Sequence, residues 1–547
     1  MHFADRLTLS DQWVVSAGHL RIAAEGSSGV ITAFSGIHVM NIYAVTSKSI
    51  LAVSILLTAS LAVSAKQSHA SELEPVCQLN IPNGYCQLIN PSLKLTSMPS
   101  IAPATTNAAE FGTFNKPFSV TSLWNSRPRQ VAFGSVVIPT SSYYPLVGTG
   151  SYSTIAFLAK PTDSAVTVYP ADGKPGVWDP DSEAYYPSIT IPHWPSETVP
   201  ATGTDGHADI VDIEKGVIHS FFQLKKTNGR WTATQYAWAS LKDRGWGDGA
   251  HYFQGARAAG IPSMAGLIRK HEINDGAPQF YHALAMSLTY NGMSNIEQYV
   301  YPATSGDYGW KQNYGFIPMG ALMMLPPSFD ANSIADPDLR KVVNTLKTFG
   351  AYVVDRNVGT PFYIYVENGS NYTLHKGGWN SVVAKDLHRI REAMRQVTHA
   401  KDWVDALGNP IASLPAANLA SMRGPWRTRT SGGQIPRFDS YSQNLVFTNT
   451  SKVESAENAS GRVISGVKWA KPVKGKLYEF RVEATNGGRA YLRFWGGGKE
   501  QFNTRALGNG QTFRFHWPTV DGTPIMGAVS GIGAKTEVRG ILTQVNE

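Results

Sequence analysis

The sequence predicts a mainly β protein: a β-sandwich or jelly-roll-like main domain with a few helices, followed by a C-terminal β-sandwich. Three observations carry this. Short β-branched and aromatic runs recur, joined by Asn-Gly, Gly-Gly and similar turn pairs. Only two stretches space their apolar residues as a helix does. The 547 residues include 51 Gly and 32 Pro, with 16% charged and 11% aromatic, against ~25% charged in an average globular protein. That balance excludes a disordered polyelectrolyte and a long coiled coil.

The N-terminal region reads as export machinery. The only long apolar run, Ile50–Val63, follows Lys48 and ends at small residues, Ser64 and Ala65. A basic start, a short apolar core and a small-residue exit make a secretory signal peptide. The run is too short to cross a bilayer comfortably, which takes ~20 residues. The signal is placed at 40–70, beginning at Met40, with 1–39 as an upstream extension. No stable membrane insertion is expected after cleavage, and the product should be secreted or periplasmic. Cys77 and Cys86 are the only two cysteines and flank Ile81-Pro82-Asn83-Gly84. In an oxidising compartment they are expected to form a disulfide around that turn. Residues 71–110 hold this loop and a Pro/Ser/Thr-rich linker.

The main domain is placed at 111–430. Thr154–Lys160 and Ala165–Ala171 are β-prone. His207–Ile213, Val217–Lys226 and Arg230–Leu241 read as a meander, with Asn228-Gly229 as a hairpin signal. Tyr281–Tyr290, Ala351–Asp355 and Pro361–Glu367 continue the strands. A helix is expected over Asp338–Phe349, stopped by Gly350, and a second over Ser381–Thr398. Residues 431–547 show strands and turns without a helix. The expected strands there are Val463–Trp469, Lys476–Ala484, Ala490–Phe494 and Thr512–Trp517, forming a carbohydrate-binding-like sandwich.

Candidate chemistry centres on Thr204-Asp205-Gly206-His207-Ala208-Asp209. In a strand, Asp205, His207 and Asp209 share one face. A carboxylate–imidazole pair can move protons, with Asp209 orienting His207. Two alternatives stay open: a divalent cation held by Asp205, His207 and Asp209, and a plain turn leading into a strand. Otherwise no cofactor or metal is expected. His282, beside Tyr281, is a second proton-transfer candidate. Hydrolysis would instead need two carboxylates across the scissile bond, for which Asp205 or Asp209 with Asp307 or Asp355 are available. Tyr301, Asp307 and Trp310 lie in a ring-rich loop suited to stacking on sugars. Trp246 sits in a glycine-rich loop that could act as a lid, and Trp495 ends a strand in the last domain.

The formal charge is +8, which draws a protein toward anionic partners. No basic run carries interleaved aromatics, so nucleic acid is not expected. No nucleotide loop, nucleophile elbow or zinc-protease motif is present.

Taken together, FSVTSLWN (118–125), TDGHAD (204–209), YHAL (281–284), YVYPA (299–303), IPMGAL (317–322) and LKTFGAYVVD (346–355) resemble a broad group of secreted, largely uncharacterised bacterial β-rich proteins. The resemblance covers roughly half of the chain. It implies an exported β-rich domain and no particular reaction. The expected function is a secreted polysaccharide-active protein, a lyase or glycoside hydrolase. Its substrate is an extracellular or cell-envelope polysaccharide, and the positive charge favours an anionic one. The alternative is a non-catalytic glycan-binding envelope or matrix protein.

Overall fold

The computed structural model describes residues 107–545, apart from 373, 375–380, 412–417, 431–432, 441 and 460–462. Nearer the start it gives only the backbone of two short hairpins, Val30–Ser35 with His38–Tyr43 and Leu79–Asn80 with Tyr85–Cys86. Those hairpins belong to a separate unit, 1–87. Most of the expected signal peptide, and the Cys77–Cys86 bridge, lie outside the described residues. The rest is mainly β, 37% strand and 9% helix with two α-helices.

Three sheets build the main body. A six-stranded sheet runs in the order 184–186, 177–179, 235–240, 217–222, 208–212 and 156–159. A four-stranded sheet runs 189–191, 166–170, 230–233 and 225–227. The third has eight strands, ordered 410–411, 395–404, 322–324, 351–357, 284–289, 362–365 and 146–148, with 127–133 paired to 395–404. Alternation along Ala208–Asp212 shows how they stack. Ile210 joins the core against the four-stranded sheet, with Phe157, Val168 and Trp231. Val211 points the other way, into the large core with Leu284, Met286 and Val353 of the eight-stranded sheet. This strand is therefore buried on both faces, all five of its residues included.

The FSVTSLWN segment plugs that core. Trp124 stacks on Trp246 with centroids 4.7 Å apart and planes 2° from parallel. Its indole N–H donates to the Gly245 carbonyl at 3.1 Å. Asn125 ties the segment to itself through the carbonyls of Pro117 and Ser119.

Helix α1, Pro337–Thr348, starts where Asp336 accepts the Leu339 N–H at 2.9 Å with Pro337 in the first turn. It ends before Gly350, whose φ of +76° suits a left-handed turn. A side chain there would also meet the Met323 carbonyl at 2.7 Å, so α1 can turn directly into the strand Ala351–Asn357. Helix α2, Val382–Ala393, is capped by Ser381. The helix expected over 381–398 is too long: residues from Arg395 onward form the strand Arg395–Val404, held by 127–133 and 322–324. Helical spacing ran on by chance into a segment whose tertiary pairing decides its state.

The C-terminal sandwich begins earlier than 430. The strand Gly424–Thr430 pairs with 433–440 and 455–458 inside its sheet, and Ala420, Met422 and Trp426 belong to its core. The boundary placed at 430 falls within a strand pair, 424–430 with 433–440. Val463–Trp469 is not a strand; it holds turns and the 3-10 turn Lys468–Ala470. The strands Leu477–Ala484, Arg489–Gly496 and Thr512–His516 lie where expected.

Candidate functional site

Asp205, Asp307 and Asp355 come from three separate segments and lie close enough to perturb one another electrostatically, with Arg257 acting on Asp205 and Asp355 and Arg356 acting on Asp307. Each is held by local backbone geometry. Asp205 sits in a turn closed by Gly206 N–H to Gly203 O, and its own carbonyl accepts the Gln223 N–H at 2.6 Å. Gly206 takes φ +46°, and a side chain on it would lie 2.9 Å from the Leu224 carbonyl.

Asp355 follows a β-bulge. Met286 pairs with Val353 and Ser287 with Asp355, leaving Val354 as the extra residue. A bulge re-aims the side chains beyond it. It also presents the Val354 carbonyl to the Ala259 N–H at 3.1 Å. That bond docks the turn carrying Arg257, which is closed by Arg257 N–H to Ile261 O and Gly260 N–H to Arg257 O. Arg257 donates from Nη1 to Asp355 Oδ2 at 3.1 Å and to the Tyr152 carbonyl at 2.9 Å. Its guanidinium lies 4.0 Å from the Tyr365 ring centre. Nε and Nη2 are buried without a hydrogen-bond partner.

Asp307 is placed by the loop after Gln298, whose side-chain amide donates to the carbonyls of Gly306 and Asp307. Arg356, next to Asp355, donates to the Gly309 carbonyl and Asn313 Oδ1 and so fastens this loop to the strand. Asp307 Oδ2 is buried and accepts no hydrogen bond. Tyr152, 46% exposed, and the fully exposed Tyr308 adjoin the cluster through Arg257 and Asp307.

The electrostatics separate the three acids. Burial, then repulsion from Asp355 and Asp205, pushes the Asp307 carboxyl up to about 7 despite Arg356. Burial also raises Asp355, but Arg257 opposes that with its charge and its hydrogen bond. Asp205 is raised by burial and drawn back by Arg257. The arrangement can hold one carboxylic acid protonated near neutral pH beside carboxylates stabilised by guanidinium.

The residues expected to carry proton transfer are not joined to one another by hydrogen bonds among the described residues. His207 is buried, its Nδ1 has no partner, and burial followed by the Arg257 charge holds its pKa well below the imidazole range. Asp209 does not orient it. One Asp209 oxygen accepts the Ser220 hydroxyl and the other the Met264 N–H at 2.6 Å, so it staples a loop to the sheet. Asp209→Ala strands two buried donors and is expected to cost about 2 kcal/mol, read by denaturant unfolding.

His282 has both ring nitrogens engaged: Nδ1 with the Ala283 carbonyl at 2.8 Å and Nε2 with Glu272 at 3.2 Å. Burial opposes its charge, but Glu272 and the Ala283 carbonyl outweigh it and raise the pKa. Burial likewise opposes the Glu272 charge, yet His282 and the Arg269 N–H bring it down to about 2. The pair stabilises the fold fully between about 4.5 and 6.5, the unfolded pKa values. That stability is lost as pH rises through the raised His282 value, and as pH falls through about 2. Unfolding free energy of the native chain should therefore fall on the alkaline side, and His282→Gln should remove that dependence. Tyr281, partly buried, lines a separate cavity of about 240 Å³ with His282 and Glu272.

Trp246 is not a sugar platform: it is 1% exposed and packed between Trp124 and Tyr352. Its loop is not a lid. Tyr252 is anchored through its N–H to Asp181 at 2.8 Å and through its hydroxyl to the Pro180 carbonyl. Gly249 accepts from Gln443 of the sandwich. Trp310 is partly buried under Lys311, whose Nζ lies 3.9 Å from the ring centre. Tyr301 is 44% exposed and Trp495 52%. The sequence offered Asp307 both as a binding residue and, with Asp355, as one of several carboxylates, and gave no sign of Arg257, a lone Arg in a Gly/Ala loop with no periodic signal. No group of three His, Cys, Asp or Glu side chains among the described residues is arranged to hold a metal. No described helix is long and apolar enough to cross a membrane.

No family model and no curated protein matches the chain. Two solved structures show a partial likeness. One is accessory secretory protein 1, 2 and 3 of Streptococcus pneumoniae, 10% identical, covering 19% of this chain and 87% of that one with a TM-score of 0.14. The other is the glycosylation-associate protein (Gap123) complex of Streptococcus agalactiae, 12% identical, covering 22% of this chain and 44% of that one with a TM-score of 0.16.

Proposed function

We propose that this chain is a secreted polysaccharide hydrolase in which Asp307 donates a proton to the leaving glycosidic oxygen. Asp355 or Asp205 acts either as base on the attacking water or as nucleophile on the anomeric carbon, water then releasing the glycosyl group. The gathering of the three carboxylates carries the reading, with Arg257 bearing on Asp205 and Asp355 and Arg356 on Asp307. Glycoside hydrolysis needs one carboxyl held protonated and a second held ionised across the bond, and burial plus mutual repulsion supplies the first at Asp307. Arg257 keeps the charge on Asp355 affordable, while its unpartnered Nε and Nη2 are donors for sugar hydroxyls or ring substituents. Tyr152 and Tyr308 are exposed aromatic residues in the segments that carry the site.

The test is a panel of neutral and acidic polysaccharides read for reducing ends and for ultraviolet absorbance of an unsaturated product. New reducing ends without that absorbance are expected on at least one polymer. Unsaturated product would make the protein a lyase. Binding without cleavage of any polymer would make it a glycan-binding protein.

A further inference from the structure

Between the eight-stranded sheet and the C-terminal sandwich lies a cavity of about 1000 Å³, at the upper end of the size range of small-molecule pockets. We propose that it is a second saccharide site, one that holds a neutral oligosaccharide stretch away from the acids. This rests on the polysaccharide reading above but not on catalysis at Asp307.

The two sites occupy different faces of one segment. Gln298 turns its side chain to Gly306 and Asp307, whereas Tyr299 and Tyr301 line the cavity. Trp403 lines it from the sheet, and Trp469 and Lys471 from the sandwich. The two walls are tied together, since the Tyr299 hydroxyl donates to the Trp469 carbonyl at 2.6 Å and Lys471 Nζ lies 4.0 Å from the Tyr299 ring centre.

What the lining leaves unsatisfied identifies the ligand. Trp469 is 7% exposed, packs on Tyr252 and Ile464, and has an indole N–H without a partner. Asp402 is not such a group, because its Oδ1 ion-pairs with Arg129 Nε at 3.6 Å. A buried donor left unpaired in the wall of a ring-lined cavity matches a hydroxyl-rich ligand, because a hydroxyl can accept from it. Aromatic walls suit the apolar faces of the sugar rings. Of the charged lining side chains, Glu297 and Lys471 offset each other, Asp402 is committed to Arg129 and Lys401 is exposed. A neutral chain therefore enters without breaking an ion pair.

The experiment measures binding to the full chain by calorimetry, with cellohexaose, xylohexaose, chitohexaose and hexagalacturonate as probes. Asp307→Asn serves as the background, so hydrolysis does not consume the probe. At least one neutral probe should bind saturably. Trp469→Phe keeps an aromatic ring but removes the indole N–H with its five-membered ring; it should weaken binding at least about fivefold, the net worth of one hydrogen bond. Trp403→Ala should weaken it about tenfold through lost stacking. Unchanged unfolding midpoints confirm that both variants are folded. Binding of no neutral probe, binding of hexagalacturonate alone, or neutral binding that both variants leave unchanged overturns the assignment. Loss of cleavage in Asp307→Asn is read separately and bears only on the hydrolase reading.

Discussion

In Asp307→Asn, polysaccharide turnover is expected to fall by about 10²–10⁴-fold, the usual contribution of a positioned general acid, with KM nearly unchanged. The amide is almost isosteric and stays in the loop held by Gln298 and Arg356, but it has no proton to give. The pH profile separates this from a structural effect. A general acid works only while protonated, and Asp307 is held up to about 7. Native kcat should therefore decline as pH rises through about 7. On the acid side it should decline as Asp355 and Asp205 take up protons. In Asp307→Asn the alkaline decline should vanish, because the group that titrates there is gone. Substrates with an activated leaving group, such as a nitrophenol, need little protonation, so they should be cleaved by the variant at close to the native rate. An alkaline decline retained in the variant would assign that limb to another group and remove Asp307 from its role.

Much of the fold was legible because it depends on local pattern. Alternation and turn pairs placed strands at 208–212, 284–289 and 351–357 close to their observed limits, and Gly350 marked the end of α1. The runs expected at 217–226 and 230–241 instead each break into two strands, 217–222 with 225–227 and 230–233 with 235–240, shared between two sheets. The errors fall where non-local pairing overrules pattern. Residues 395–398 look helical and are a strand because 127–133 needs a partner. The turn-rich stretch around 430 looks like a domain boundary and lies within a strand pair, because Trp426 already belongs to the sandwich core. The site was legible in part for the same reason. Period two put His207 and Asp209 on the face that looks into the large core, and it flagged Asp205. It could not reveal that Asp209 is consumed by Ser220 and Met264, or that Trp246 is enclosed by Trp124. Nor could it bring Arg257 to Asp355, which depends on a bulge at Val354 and a turn more than ninety residues earlier.

That dependence on the sheets makes Glu367 the position with the largest expected effect on stability. It is 3% exposed. Oε2 accepts from Arg269 Nε at 3.0 Å and from the Lys270 N–H at 2.9 Å. Oε1 accepts the Ala156 N–H at 3.2 Å. One carboxylate thus joins the edge of the six-stranded sheet, the end of the 362–365 strand and the turn that leads to Glu272. Arg269, 4% exposed, has its remaining contacts at the Phe114 carbonyl and ring. Glu367→Leu leaves that guanidinium buried and uncompensated, which is expected to cost about 3–5 kcal/mol, measured by denaturant unfolding followed through tryptophan fluorescence. Removing both charges in Glu367→Leu/Arg269→Leu should recover most of the loss, since a buried pair is worth little against well-packed apolar side chains. Catalysis should report the same clamp. Asp205 enters the site from the lead-in to the six-stranded sheet and Asp355 from the eight-stranded one, so the spacing of the acids is set by how these sheets are held together. A displacement of ~1 Å between reacting groups costs on the order of 10²-fold in rate. Folded Glu367→Leu should therefore lose kcat more than affinity although Glu367 touches no substrate, and Glu367→Gln, which keeps acceptors on the clamp, should lose less. Equal kcat for the native chain and folded Glu367→Leu would show that the acid cluster is positioned by its own loops alone.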